Sequence, residues 1–300
     1  MKEKRWKLVD NRCLCGTEDS RLLFPERIEW SQLSAYEFSA RRRRRVQHYR
    51  IVRCNACGLV RSDPVLSDEE LAALYRGSEF LYQQESSFAA RTYAALVTPY
   101  FAMFPRPEQI RLLEIGCGNG AFLKEMQRCR LRTLKGIEPS VQAVRQAAGT
   151  VRPAIINGAF HRGSFSPGTF DVVCAFHVLD HLREPEGFMQ ECFRVVDAKG
   201  IVILVCHNVD ALANKMLGEH SPVFDVEHIF LFNPATLRSL AETCGFIVRG
   251  QGKLTNTYPL SYWLRYAPTV HRFVERFPLS IQNISLTLHA GNIYLCAQKV

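Results

Sequence analysis

The stretch Leu112-Leu-Glu-Ile-Gly-Cys-Gly-Asn-Gly-Ala-Phe-Leu123 decides how this chain is read. Residues 111–115 form a short apolar strand pattern, residues 120–129 a helix, and Gly116, Gly118 and Gly120 crowd the turn between them. Glycine permits so tight a turn and lets a ligand approach the backbone. Read as Gly116-x-Gly118-x-x-Ala121, the turn also fits a dinucleotide-binding loop, so the glycines alone are a weak signal. Three neighbouring features narrow the choice. Glu114 would repel a pyrophosphate but suits a ligand carrying an ammonium group. Glu138 closes the next predicted strand, 133–138, where a carboxylate can accept both hydroxyls of a ribose; this fits a nicotinamide dinucleotide equally well. Phe170-Asp-Val-Val-Cys-Ala-Phe-His-Val-Leu-Asp-His-Leu182 reads as a strand delivering aromatic and imidazole groups at its carboxyl end, where doubly wound sheets bind ligands.

Outward from the loop, strand and helix patterns alternate. Strands are predicted near 155–156, 170–175 and 201–206, with helices at 140–148 and 185–196. Nearly all-apolar strands in such βαβ alternation predict an α/β fold with a parallel sheet covered on both faces. Beyond residue 208 come a helix near 234–244, a strand near 246–252, aromatic-rich helical material at 259–288 and a final strand at 291–298. Upstream, Ser67 is an N-cap followed by Asp68, Glu69 and Glu70, with Leu71, Leu74 and Tyr75 at helical spacing. The expected division is residues 1–64, a helical linker at 65–107, and a domain at 108–300 in which 254–290 forms an aromatic-rich cap over the substrate.

Together these stretches resemble the class I S-adenosylmethionine-dependent methyltransferases. That family shows an acid before G-x-G-x-G, an acid ending the second strand, and an F-D-x-V strand leading to a segment like Leu179-Asp180-His181-Leu182. The resemblance runs over about 110–250, through Asp197-Ala-Lys-Gly200 and the Gly245-Phe246 pair. It implies a Rossmann-like seven-stranded sheet and S-adenosylmethionine as cofactor. Glu114, Gly116, Gly118 and Gly120 would serve its methionine part, Glu138 its ribose and Pro139 its adenine, with Phe176 and His177 beside the sulfonium. Many relatives place an Asp after the third strand to bond the adenine amino group. Here the segment is Asn157-Gly-Ala-Phe160, which leaves backbone groups or Phe160 to hold adenine.

Of the 300 residues, 47% are apolar and 22% charged, a composition suited to a sizeable core. No apolar run approaches the roughly 18 residues of a membrane span. The opening Met1-Lys-Glu-Lys-Arg5 has no apolar stretch behind it, so a cytoplasmic protein with reduced thiols is expected. Seven of the eleven cysteines lie singly in apolar or helical contexts and read as small buried hydrophobes. The other four, Cys13-Leu-Cys15-Gly and Cys54-Asn-Ala-Cys57-Gly, have the layout of a zinc ribbon or knuckle holding one structural Zn²⁺. The second pair and its sequel resemble the zinc-binding N-terminal region joined to methyltransferase domains in many bacterial sugar, lipid and natural-product pathways. The first pair departs from that pattern, being C-x-C where the family usually has C-x-x-C.

Two acceptor classes stay open. Residues 1–60 carry 14 Lys+Arg against 7 Asp+Glu, including the run Arg41 to Arg45, out of a whole-chain charge of +9. That segment reads either as an RNA grip or as a solvated, self-repelling surface. The resemblance of residues 54–75 to biosynthetic relatives, the aromatic stretch containing Tyr258, Tyr262 and Trp263, and the near-neutral remainder of the chain favour a small-molecule acceptor. The expected function is O- or C-methylation of a sugar-containing or secondary metabolite, with RNA methylation the alternative. A hydroxyl or acidic-carbon acceptor calls for a base, and histidine is the usual one near pH 7. His177 and His228 are the candidate bases; His181 and His220 lie in plausible places but read first as helix-start and loop residues.

Overall fold

The computed structural model describes residues 5–39, 46–79, 83–131, 133–264 and 284–300. In chain order the strands β1 (Leu8–Val9), β2 (Ser20–Phe24), β3 (Ile51–Cys54), β4 (Val60–Ser62) and β5 (Val65–Leu66) come first, followed by helices α1 (Asp68–Gly77) and α2 (Gln83–Val97). The alternating part follows as β6 (Arg111–Ile115), α3 (Ala121–Arg128), β7 (Thr133–Glu138), α4 (Val141–Arg145), β8 (Ile155–Asn157), β9 (Phe170–Phe176), α5 (Pro185–Val195) and β10 (Val196–His207). The chain continues through α6 (Leu212–Leu217), β11 (Phe230–Leu231), α7 (Pro234–Thr243), β12 (Phe246–Pro259), α8 (Leu260–Leu264) and β13 (Ser285–Lys299).

Seven strands form one sheet in the order β12-β13-β10-β9-β6-β7-β8. The five from β10 to β8 are parallel, and β13 runs antiparallel to both of its neighbours. β6 pairs with β7 on one side and β9 on the other, so the order of the chain reverses beside it, and a crevice opens there at the carboxyl ends of the strands. The apolar strands are buried as their unbroken hydrophobicity requires: residues 201–206 of β10 are fully covered. One face is covered by α5 and α7 through Phe188, Met189, Cys192, Val195, Leu237, Leu240 and Ala241. The other is covered by α2 and α3 through Tyr93, Phe122, Leu123 and Met126. N-caps start the helices where the sequence places them. Ser67 accepts from the Glu70 N–H at the start of α1, and Asn233 forms a capping box with Thr236 ahead of Pro234 in α7.

The last two strands run longer than their sequence pattern indicates, 246–259 and 285–299 rather than 246–252 and 291–298. β10 stops pairing with β13 at His207↔Asn292, and beyond it β12 and β13 pair only with each other, from Asn256↔Leu288 to Pro259↔Ser285. One face of this ribbon is buried through Leu254, Asn256 and Tyr258, but a polar residue interrupts that face and the other stays half-exposed, so its length does not show as an apolar run.

A second sheet has the order β11-β4-β3-β2. Its outer strand β11 comes from the far half of the chain and pairs antiparallel with β4 as Phe230↔Arg61 and Leu231↔Val60. Phe38, Tyr49, Cys54, Leu66 and Leu71 pack in the same hydrophobic core as the α5 and α7 face of the large sheet. The cysteine-bearing segment therefore shares a core with the alternating domain. No helix among the described residues is long and apolar enough to cross a membrane.

Candidate active site

A cavity of about 510 Å³ lies at the carboxyl ends of β6, β7, β9 and β10. On the β6–β7 side its wall is the glycine turn. Gly116, Gly118 and Gly120 all adopt left-handed φ values, 69°, 53° and 71°. A side chain at Gly116 would also begin 2.6 Å from Val178 Cγ2, so that turn admits nothing larger than glycine. Gly116 and Gly118 line the cavity. Gly120 instead occupies the N-cap position of α3, against Val151 and Ile155.

Glu138 fastens this turn. Its Oε2 accepts from the Gly118 N–H at 2.9 Å and its Oε1 from the Ser140 N–H at 2.8 Å. Each oxygen keeps a further lone pair for a ligand hydroxyl. Burial pushes its carboxyl upward, against the pull of those two N–H groups. Glu114 is 5% exposed, and its Oε2 has no hydrogen-bond partner. Burial, with the charge of Glu138 behind it, raises Glu114 well above the usual carboxylate range. A buried acceptor without a donor costs about 1–3 kcal/mol, which a ligand cation placed here would recover. Pro139 and Phe160 continue the wall, Phe160 resting edge-on against Phe188 at 5.6 Å between centroids. Phe176 closes the floor between Tyr93, stacked at 4.1 Å, and Phe122. α2 roofs the turn through Ser86, Ala89, Ala90 and Tyr93, and Asn119 Nδ2 donates to Ser86 Oγ.

The β9–β10 side is a cluster of four imidazoles around one carboxylate. His177, His181, His207 and His228 all line the cavity, with ring centroids 4.3 Å apart for His177 and His207, 4.8 Å for His207 and His228, and 4.9 Å for His181 and His228. Asp180, fully buried beneath them, accepts from His207 Nδ1 at 2.6 Å through Oδ2. Burial would raise Asp180, but the His207 hydrogen bond and the surrounding imidazoles hold it well below the usual carboxylate range. Tyr75 reaches in from α1, its hydroxyl 2.9 Å from His181 Nδ1. His228 Nδ1 lies 2.9 Å from the Val223 carbonyl, which can only accept, so Nδ1 carries the proton. Burial, and the neighbouring His207 and His181, press His228 well below its ordinary value. His177 has a left-handed φ of 54° and donates its backbone N–H to the Val205 carbonyl at 2.7 Å, which ties the end of β9 to β10.

Both candidate bases, His177 and His228, thus sit in one cluster, and His181 joins them as a cavity residue. His220 is exposed at the end of a 3-10 turn, away from the cavity lining. Sequence reading passed over His207 and the side chain of Asp180. The signal for His207 was present: it is the first residue after the fully buried run 201–206, at the carboxyl end of a parallel strand. The aromatic stretch turns elsewhere. Tyr258 and Tyr262 stack at 4.0 Å, Trp263 Nε1 donates to the Leu286 carbonyl, and Tyr258 meets Phe88 of α2; none of the three lines the cavity. The ribbon carries them past the sheet edge, while Tyr266, Phe273 and Phe277 lie outside the described residues, as does the run Arg41 to Arg45.

Cys13, Cys15, Cys54 and Cys57 converge, with Sγ separations of 3.4 Å for Cys13–Cys57, 3.5 Å for Cys13–Cys15 and 3.6 Å for Cys15–Cys54. Each pair turns through a left-handed glycine, Gly16 or Gly58, whose N–H donates to the carbonyl of Cys13 or Cys54. Burial opposes ionisation of Cys54, yet the Cys57 and Ala56 N–H groups bring its thiol down to about 6. The C-x-C pair reaches the cluster as well as the C-x-x-C pair does.

A family model described as a methyltransferase domain matches residues 85–250. The ubiquinone biosynthesis O-methyltransferase of Caulobacter sp. (strain K31) is 30% identical over 122 residues, 37% of this chain and 47% of that protein. The ajmaline N-methyltransferase of Rauvolfia serpentina is 28% identical over 120 residues, 36% of this chain and 40% of that one. The chain therefore spans about half the length, or less, of these curated relatives. Among solved structures, a chain of the complex between the Haloferax volcanii Trm112 methyltransferase activator and a methyltransferase superposes with a TM-score of 0.52 at 15% identity, over 76% of this chain and 97% of that one, a likeness of fold.

Proposed function

The chain belongs to the methyltransferase-domain family, and from that premise we propose that it transfers the methyl group of S-adenosylmethionine to a small-molecule acceptor. The observation that carries this reading is the partnerless, buried Glu114 Oε2 beside the Glu138-fastened glycine turn, facing a histidine cluster across one cavity. When bound, the cofactor supplies an electrophilic methyl group on a sulfonium. Glu114 receives its ammonium group, Glu138 the ribose hydroxyls, and Pro139 and Phe160 flank adenine. Gly116 and Gly118 let the methionine part lie against the backbone. Phe176 and His177 border the reacting centre. The acceptor is a hydroxyl compound, or one with an acidic carbon, of the sugar-containing or secondary-metabolite class. Its proton passes to a histidine of the cluster. His177 and His228 are the bases named by position, and His207, oriented by Asp180 at 2.6 Å, has the geometry of a base held by a carboxylate.

The four cysteines hold one Zn²⁺. Thiolates about 2.3 Å from a tetrahedral zinc ion stand about 3.8 Å apart, close to the observed separations. Four thiolates leave no open position, so the ion's part is structural. Purified protein is expected to carry zinc that Cys54→Ser removes.

The deciding experiment offers labelled S-adenosylmethionine to the full chain with a metabolite extract in one arm and total RNA in the other. Label in small molecules, with turnover unchanged by salt, supports the reading. Label in RNA, falling by about 0.7 log units per log unit of salt for each single-strand phosphate held, overturns it in favour of an RNA acceptor.

A further inference from the structure

Beneath the cavity, the hydrogen bonds of the histidine cluster leave three atoms of one kind aimed at one another. The Val223 carbonyl fixes the proton of His228 on Nδ1, which leaves Nε2 as a lone pair. Tyr75 donates its hydroxyl to the Glu227 carbonyl at 3.5 Å and so can accept from His181 Nδ1, which leaves His181 Nε2, 4.0 Å from Asp180 Oδ1, as a lone pair. Asp180 spends Oδ2 on His207, whereas Oδ1 is buried and has no hydrogen-bond partner. Buried carboxylate oxygens are normally satisfied, so this one needs an explanation.

We propose that Asp180, His181 and His228 form a binding site for a divalent first-row transition-metal ion, separate from the four-cysteine cluster. Their ligand atoms lie within 4.8 Å of one another, and bonds of about 2.0–2.2 Å would draw them together by roughly an ångström. Outer hydrogen bonds from a carbonyl, a tyrosine hydroxyl and a histidine already fix each ligand's orientation, as metal sites require. Two imidazoles and one carboxylate select zinc, iron, cobalt or nickel over magnesium or calcium. Three protein ligands leave an open position. His181 and His228 line the cavity, so that position faces the acceptor, where the ion would hold an acceptor oxygen and lower the pKa of its hydroxyl. His177 and His207 stay outside the ligand set and keep the role of base, which His228, with its Nε2 on the ion, would give up.

Metal binding is read directly and does not depend on methyl transfer. The full chain, stripped with a chelator, is titrated with Co²⁺ alone and followed by absorption and by metal analysis after desalting. Cobalt on the cysteines gives an intense thiolate-to-metal charge-transfer band; cobalt on histidine and carboxylate gives only weak d–d bands. The expected result is an ion of the second kind, retained in Cys54→Ser and weakened at least tenfold in His181→Ala and in His228→Ala. His181 is partly exposed, so its variant keeps the test valid if the His228 variant fails to fold. Excess Mg²⁺ is expected not to displace this ion. Uptake of thiolate-bound cobalt only, or of a second ion that both histidine variants bind as tightly as the parent, overturns the proposal.

Discussion

On the β6–β7 side of the cavity, the glycine turn and its two glutamates come from residues 114–140 alone. On the β9–β10 side, the imidazoles and Asp180 come from three separate places, the 177–181 segment, His207 at the end of β10 and His228 ahead of β11, with Tyr75 of α1 reaching in from a fourth. The first wall is largely backbone, fixed by left-handed glycines and two N–H groups on Glu138. The second is side chain throughout, and its neighbours hold it: Ser62 Oγ donates to the His228 carbonyl and Ser62 N–H to the Ile229 carbonyl, so the cysteine-bearing segment positions a cavity residue. On the proposed reading, the backbone wall takes the cofactor and the side-chain wall, drawn from distant elements, faces the acceptor.

That contrast is open to test. Asp180→Ala should strike hardest, removing the buried carboxylate that accepts from His207, at about 1.5–3 kcal/mol of stability read from urea denaturation of the full chain. A loss under about 1 kcal/mol would show that the cluster does not depend on its carboxylate. Glu138→Ala should leave the fold intact and weaken S-adenosylmethionine by about 1.5–3 kcal/mol, that is more than tenfold, by calorimetry. If it impaired acceptor turnover alone, the assignment of the two sides would be reversed.

Glu114 sharpens the picture through pH. Its carboxyl is raised, so without ligand it stays protonated into a range where an ordinary glutamate is ionised, whereas an ammonium group binds the ionised form. Cofactor affinity should therefore rise with pH up to that raised value and level off above it, by at most about tenfold per pH unit. Below the plateau, binding should release a proton, visible as a buffer-dependent heat. Glu114→Gln should bind weakly at all pH values and release none. Tyr75→Phe removes the hydrogen bond to His181 and a longer one to the Glu227 carbonyl and should cost about 0.5–1.5 kcal/mol, appearing in acceptor KM or kcat with cofactor affinity untouched. Smallest of all, replacing Arg42, Arg43, Arg44 and Arg45 with Ser should leave turnover within about twofold, as for any solvated surface.

The two walls also differ in how far sequence reveals them. β6 and β7 appear at their predicted boundaries, and Glu114, Gly116, Gly118 and Glu138 were legible because turn, strand end and carboxylate lie within 25 residues and each has a local physical reason. His177 and His228 could be named as candidates, but their meeting could not. It depends on β9 and β10 lying side by side and on the chain after residue 221 folding back over them. His207 follows an apolar strand with no motif around it. Tyr258 and Trp263 have the composition of a substrate cap; among the described residues they pack along the ribbon and α2 rather than on the cavity, and residues 265–283 of that stretch lie outside the described residues.

β11 also sets a timetable for synthesis. Val60 pairs with Leu231, 171 positions later, so the outer edge of β4 has no strand beside it until that further length has been made. At about 5–20 residues per second that interval is roughly 10–30 s. Through it a nascent chain presents an open strand edge, the feature that most readily recruits a wrong partner. The cysteine-bearing segment is made well ahead of the strand that completes its sheet, and its fate in the cell rests on what guards it meanwhile.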